Sequence, residues 1–247
     1  MKIIPLSEGS FTVDKTKIFI PFNKNADDLA QRAAGSLLVE VQPFALVTEN
    51  DIIVLDTGLG FSNADGVLQI HQNLLNNGID PAKVTKVLLS HLHKDHAGGI
   101  SIKGNMTAPG LSFPNASYYV SKKEMEYAAE NTKSSYHQED FELLISSPQL
   151  ILLEGNEGNI NNNIHFEITG GHSPYHTVFW IRERDEIIFF GGDVAPQLQQ
   201  MKSRFVAKYD FDGKKSMELR SQWWKQSEEE RWTLLFYHDI KTPYMKQ

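Results

Sequence analysis

An apolar run over residues 84–89 delivers the chain directly into Ser90-His91-Leu92-His93-Lys94-Asp95-His96, and then into Ala97-Gly98-Gly99. Four of the six residues from His91 to His96 are potential metal ligands. A buried strand that ends in such a segment must open onto a cavity, because imidazole and carboxylate groups cannot be left without partners in a core. His91 and His93 are alternate residues and project from one side of an extended segment. Asp95 and His96 fall where the chain turns, so they reach the same cavity from another angle. On this spacing one metal can be held by His91 and His93 and another by Asp95 and His96. Gly98 and Gly99 are expected to let the backbone turn tightly beside the site.

Three further candidates follow apolar runs in the same way. His172 comes after Thr169-Gly170-Gly171, Asp193 after Gly191-Gly192, and His238 after the run 234–237. Taken singly, each reads as a turn residue or a helix cap. Taken together, they repeat one arrangement, a polar residue where a buried strand runs out, which gathers side chains at one edge of a sheet on a rigid scaffold. The chain has no cysteine, so thiolate sites, disulfides and cysteine nucleophiles are all excluded. Imidazole and carboxylate ligands suit zinc, iron, manganese or cobalt.

Strands are expected at 36–41, 44–48, 52–55, 84–89, 117–120, 149–153, 164–169, 177–182, 186–190 and 233–237, from short apolar runs bounded by turn residues. Helices are expected at 64–77, closed by Gly78, and at 122–131, 138–145 and 214–230, the last on the surface. Residues 156–163 read as a polar turn and 195–212 as a long irregular stretch. Grouped strands with helices between some of them suit packed sheets with helices outside, not strict βαβ alternation. No composition break marks a linker, so one domain over residues 1–247 is expected. The formal net charge of −7 argues against a nucleic-acid partner. The N-terminal residues carry no apolar segment typical of a secretory signal, and no stretch reaches the length of a membrane span. A cytoplasmic protein is therefore expected.

The ordered set Asp56, His91-Leu92-His93-Lys94-Asp95-His96, His172, Asp193 and His238 resembles the metallo-β-lactamase superfamily over most of the chain. The resemblance implies an α+β fold, an αββα sandwich of two β-sheets packed face to face with helices outside and the metals at one edge. It implies that His91, His93 and His172 hold a first metal. Asp95, His96 and His238 then hold a second, with Asp193 bridging. Asp56 is implied to be structural, supporting the loop that carries the ligands. The segments 91–99, Gly171-His172-Ser173-Pro174 and Phe236-Tyr237-His238-Asp239 look like the lactonase-like branch. Two features differ from many members of it. Tyr175 stands where a glycine is usual, and no tyrosine follows Asp193 until Tyr209.

The expected activity is that of a metal-dependent hydrolase. Two divalent ions, zinc in first place with iron or manganese as alternatives, activate a hydroxide that cleaves a lactone, ester or thioester of a small molecule. Asp95 is the expected catalytic residue, orienting the nucleophile and carrying its proton. The alternatives are phosphodiester or organophosphate hydrolysis and a mononuclear-iron oxidoreductase resembling persulfide dioxygenases. A non-catalytic binding module is the remaining option. The loops 22–35 and 195–212, with Phe205, Tyr209 and Phe211, are candidates for the substrate wall. His176 is expected to support the site without binding metal. Tyr175 reads as a core or rim residue, and His71, His137 and His165 as surface or packing residues. Assembly stays open, with a homodimer among the options.

Overall fold

Alternation along short strands explains how this chain builds layers. In the strand Ile52–Leu55, Ile53 and Leu55 face one way and Val54 the other, and all three are fully buried. A strand buried on both faces needs a layer on each side. The computed structural model describes residues 1–102, 110–132 and 135–247, and it supplies those layers.

One six-stranded sheet has the order Lys2–Pro5, Phe44–Val47, Ile52–Leu55, Lys86–Leu88, Ser117–Ser121, Leu150–Leu153. Its first two pairings are antiparallel and the rest parallel, with Leu55 beside Leu88 and Tyr119 beside Leu88. The second six-stranded sheet has the order Glu157–Ile160, Ile164–Ile168, Thr177–Glu183, Glu186–Phe190, Thr233–Leu235, Tyr244–Lys246. Leu46, Ile53, Leu55 and Leu88 of the first sheet pack against Phe166, Phe179, Ile188 and Phe190 of the second. Each phenylalanine buried there contributes roughly 1.5–3 kcal/mol of transfer free energy. Behind the first sheet, Val54, Val87 and Val120 pack on Ile70 and Leu74 of the helix Gln69–Asn76, Met125 and Ala128 of Lys122–Glu130, and Phe141 and Leu144 of Gln138–Ile145. Behind the second, Trp180, Phe189 and Leu234 pack on Trp223 of the helix Gly213–Glu230. The architecture is the expected αββα sandwich. Among the described residues, no helix is long and apolar enough to cross a membrane.

Three local readings are corrected. Residues 156–163 are not merely a turn. Glu157–Ile160 is an edge strand paired antiparallel with Ile164–Ile168, and Asn161 makes the reversal at φ 59. Its composition is polar because only Ile160 reaches the core. The helix expected from residue 64 begins at Gln69, because the Asn63 side chain accepts from the N–H groups of Asp65 and Val67 and holds a turn there. Residues 195–212 include the short helix Leu198–Met201. In addition, the strands Phe19–Pro21, Gly9–Val13 and Leu37–Val41 form a three-stranded antiparallel sheet at the ligand-bearing edge of the sandwich.

Candidate metal centre

The strands Ile164–Ile168, Glu186–Phe190 and Thr233–Leu235 all run in one direction, since two antiparallel steps and one parallel step relate them. Their C-terminal ends therefore meet at one edge. His172, Asp193 and His238 leave from those ends, and His91 leaves from the end of Lys86–Leu88 in the facing sheet. The turn after His91 is the short helix Lys94–Ala97, which puts Asp95 and His96 on the inner side.

All seven ligand candidates converge. His91, His93 and His172 form one group, Asp95, His96 and His238 a second, and His91, His96 and Asp193 a third between them, with the ligating atoms of each group within 4.8 Å of one another. Asp193 is the common neighbour. Its Oδ1 lies 3.2 Å from Nε2 of His96 and 2.9 Å from Nε2 of His238, and its Oδ2 lies 3.2 Å from Nε2 of His172. Asp95 Oδ2 is 3.7 Å from Nε2 of His96 and 3.6 Å from Nε2 of His238.

The other ring nitrogens are occupied from behind. His96 Nδ1 faces Asp56 at 2.7 Å, His172 Nδ1 faces Asp210 at 2.9 Å, His238 Nδ1 meets the Glu40 carbonyl at 2.6 Å, and His91 Nδ1 lies 3.0 Å from the Ser90 hydroxyl. Such partners hold each ring so that Nε2 faces inward. What remains inside is unsatisfied. His91 Nε2, His96 Nε2 and Asp193 Oδ1 are buried without an aligned hydrogen bond, although their neighbours lie close. Buried polar atoms are rarely left so. Converging lone pairs of imidazole and carboxylate are the donor set a divalent cation requires, so the residues fit the metals that the sequence implies.

The electrostatics agree. Burial first, then the neighbouring imidazoles, hold the pKa values of His91 and His93 well below the ordinary histidine value, which keeps their lone pairs free. Burial alone would raise Asp193, but His238, His96 and His172 overcome it and hold the carboxyl well below its usual range. Burial opposes charge on His96, yet Asp193, Asp95 and Asp56 raise its pKa well above normal.

Asp56 is fully buried and also accepts from the N–H and hydroxyl of Ser90, each at 2.7 Å. His176 is buried, and its Nε2 accepts from the Asp193 N–H at 3.1 Å. Tyr175 packs on Tyr127, with ring centroids 5.8 Å apart, and does not line the pocket. His71 packs edge-on against Phe113, His137 lies beside Glu139, and His165 packs on Trp180. Gly98 has an ordinary helical φ of −59°, so conformational freedom is not its purpose. A Cβ there would come 2.4 Å from the Leu59 carbonyl, and one on Gly99 would come 2.1 Å from that of Thr57, so close approach of two backbones excludes side chains.

The sequence did not single out Glu124 or Asp210, and it gave Tyr237 no role beyond its place in the segment Phe236-Tyr237-His238-Asp239. Glu124 is buried and accepts from Leu92 N–H at 3.0 Å, Tyr136 hydroxyl at 3.0 Å and Ser173 hydroxyl at 3.2 Å, thereby tying together the loops of His93 and His172. The Tyr237 ring stacks on His96 at 4.1 Å, and its hydroxyl donates to the Asp95 carbonyl at 2.6 Å. A pocket of about 390 Å³ opens beside the cluster, walled by Val13, Phe19 and Leu37 on one side and Gln197, Phe205 and Tyr209 on the other. Phe211 is not part of it and is 68% exposed, and from the loop 22–35 only Gly35 reaches it.

The chain matches the curated N-acyl homoserine lactonase AttM of Azorhizobium caulinodans at 31% identity over 118 residues, 42% of this chain and 38% of that protein. It matches the protein of the same name from Agrobacterium fabrum at 32% identity over 42% of this chain and 38% of that one. The chain thus spans about 38% of the length of these relatives. A probable metal-dependent hydrolase from Staphylococcus aureus has the same fold, with a TM-score of 0.79, 22% identity, and coverage of 99% of this chain and 91% of that one. The dizinc quorum-quenching lactonase AidC, solved with the product N-hexanoyl-L-homoserine, has a TM-score of 0.73, 20% identity, and coverage of 98% and 88%. The family described as the metallo-beta-lactamase superfamily matches residues 39–238, a span that holds every member of the cluster. The chain belongs to the metallo-β-lactamase superfamily, and among its members it resembles the lactonases.

Proposed function

We propose that this protein is a metal-dependent hydrolase that opens a lactone, or cleaves an ester or thioester, of a small molecule. The observation that carries this reading is the convergence of two ligand groups on one carboxylate, Asp193. His91, His93 and His172 would hold one divalent cation, and Asp95, His96 and His238 the other, with Asp193 between them. The donor set suits zinc, with iron or manganese as alternatives. Two such cations supply Lewis acidity toward a carbonyl oxygen and lower the pKa of water to near neutrality.

The chain's own residues do the rest. Asp95 presents Oδ2 beside His96 and His238, where it can take a proton from the attacking water and pass it to the leaving oxygen or sulfur. Tyr209 lines the pocket with Asp193 and His172, and its pKa is pushed up to about 12, mainly by burial. Its hydroxyl, which accepts from the Gln200 amide at 3.4 Å, therefore keeps a proton to donate to a carbonyl oxygen. A pocket of about 390 Å³ matches a small molecule. The lactonases among its relatives favour a lactone within that class.

Turnover by zinc- or manganese-loaded protein on an acyl lactone and on a bis-aryl phosphodiester tests the reading. Preferential lactone opening, lost in Asp193→Ala, is expected. Preferential phosphodiester cleavage, or lactone turnover that survives Asp193→Ala, would overturn it.

A further inference from the structure

The pocket wall nearest the three-stranded sheet carries charge that the metal centre does not use. Lys17 and Lys94 both line it, beside His93 and Asp95. Lys17 ends the hairpin turn that starts at Asp14, whose carbonyl accepts from the Lys17 N–H at 3.0 Å, and it holds a left-handed φ of 60. Lys94 opens the short helix of the metal motif, and its Nζ sits 5.2 Å from the centre of the Phe19 ring on the opposing hairpin strand. The Lys94 ammonium is therefore held against the hairpin, and Lys17 stands on the hairpin turn itself.

Both side chains are half-buried, and neither has a carboxylate within ion-pair distance among the described residues. Asp14 lines the same wall, but its Oδ1 already accepts from the N–H and hydroxyl of Thr16. Two lysines without a carboxylate partner thus line one wall of one pocket, in a chain whose net charge is −7. Partly desolvated ammonium groups without a counter-charge are costly unless a ligand supplies it.

We propose that Lys17 and Lys94 form an anion subsite, so that the substrate carries a carboxylate or phosphate group in addition to the bond cleaved. The substrate class is then an acidic acyl lactone or ester, and this rests on the hydrolase reading above. The apolar side chains of Val13, Phe19 and Leu37 line the same pocket beside the two lysines. Lysine recognises the anion as a point charge, so both anions are accepted in principle.

The experiment compares twin acyl lactones of equal chain length, one ending in a methyl group and one in a carboxylate, on zinc-loaded protein. A third twin ending in phosphate ranks the two anions. Binding of the hydrolysed products is measured alongside by calorimetry. The carboxylated twin is expected to be preferred on the order of tenfold in kcat/KM, mainly through KM, and its product to bind more tightly by a similar factor. Both preferences should shrink in 0.5 M salt, severalfold in Lys17→Gln or Lys94→Gln, and return in Lys17→Arg or Lys94→Arg. Turnover of both twins without preference, or a preference that survives both glutamine variants, overturns the subsite and leaves the hydrolase reading standing. Absence of turnover with lysine-dependent binding of the carboxylated product supports the subsite and removes the hydrolase reading. Absence of turnover and of any difference in binding overturns both.

Discussion

Oδ2 of Asp56 lies 2.7 Å from Nδ1 of His96, inside a core where neither side chain reaches solvent. The contact joins the end of the strand Ile52–Leu55 to the helix of the metal motif and leaves His96 Nε2 facing Asp193 at 3.2 Å. It decides how His96 can act, since the ring can bind a cation only through the nitrogen that Asp56 leaves free.

Replacing Asp56 by asparagine should therefore weaken metal binding without breaking the turn. Asp56 has a φ of 55, and asparagine tolerates that left-handed backbone better than other uncharged residues. Zinc affinity at the His96 group is expected to fall about 10–100-fold, read by competition with a chromophoric chelator. Wild-type affinity in Asp56→Asn would mean that the charge behind His96 is immaterial.

Tyr209→Phe removes the hydroxyl and keeps the ring that faces His172 at 6.2 Å. If the phenol polarises the reacting carbonyl, kcat on the lactone falls roughly 10²-fold while KM changes little. A change confined to KM would make Tyr209 part of the wall only.

Glu8 predicts a pH dependence of stability. Burial pushes its carboxyl up to about 7 from 4.5, outweighing the N–H groups of Leu59, Gly60 and Phe61 that favour the anion. The folded state thus binds the proton more tightly than the unfolded one. This contribution is fully present below pH 4.5 and is lost as the pH rises through 7, a change of roughly 3 kcal/mol. Urea unfolding of the metal-free protein should show Glu8→Gln close to wild type at pH 4.5 and more stable at pH 8. Equal pH profiles for the two proteins would contradict the assignment.

Arg220 is 1% exposed and donates to three carbonyls, Val194 at 2.7 Å, Gln200 at 3.2 Å and Phe205 at 2.5 Å. The first follows Asp193 in the chain, and the other two belong to pocket residues. A lysine ammonium has no planar fork to reproduce that pattern. Arg220→Lys should cost about 2–4 kcal/mol in denaturant unfolding and raise KM, because the loop would no longer be held to the helix. A stability loss without any effect on KM would separate the loop from substrate binding.

The seven ligand candidates and the strands that deliver most of them were legible in the amino-acid order. Both signals are local: apolar runs with a polar residue at their ends, and a histidine and aspartate spacing that few other purposes explain. The lactonase-like resemblance rested on the same residues. Residues that aim the ligands were not legible, because their partners are chosen by how the sheets pack. His172 takes Asp210 from 38 positions away, and His238 takes the carbonyl of Glu40 from 198. Neither Asp210 nor Glu40 has a spacing that sets it apart. The edge strand Glu157–Ile160 escaped because its pairing with Ile164–Ile168, not its own polar composition, makes it a strand. The charged wall of Lys17 and Lys94 exists only once the hairpin folds over the metal motif. Sequence thus determined which atoms can ligate, through the chemistry of the side chains themselves. Tertiary structure decided where those atoms point and what stands opposite them, since orientation depends on contacts between segments far apart in the chain.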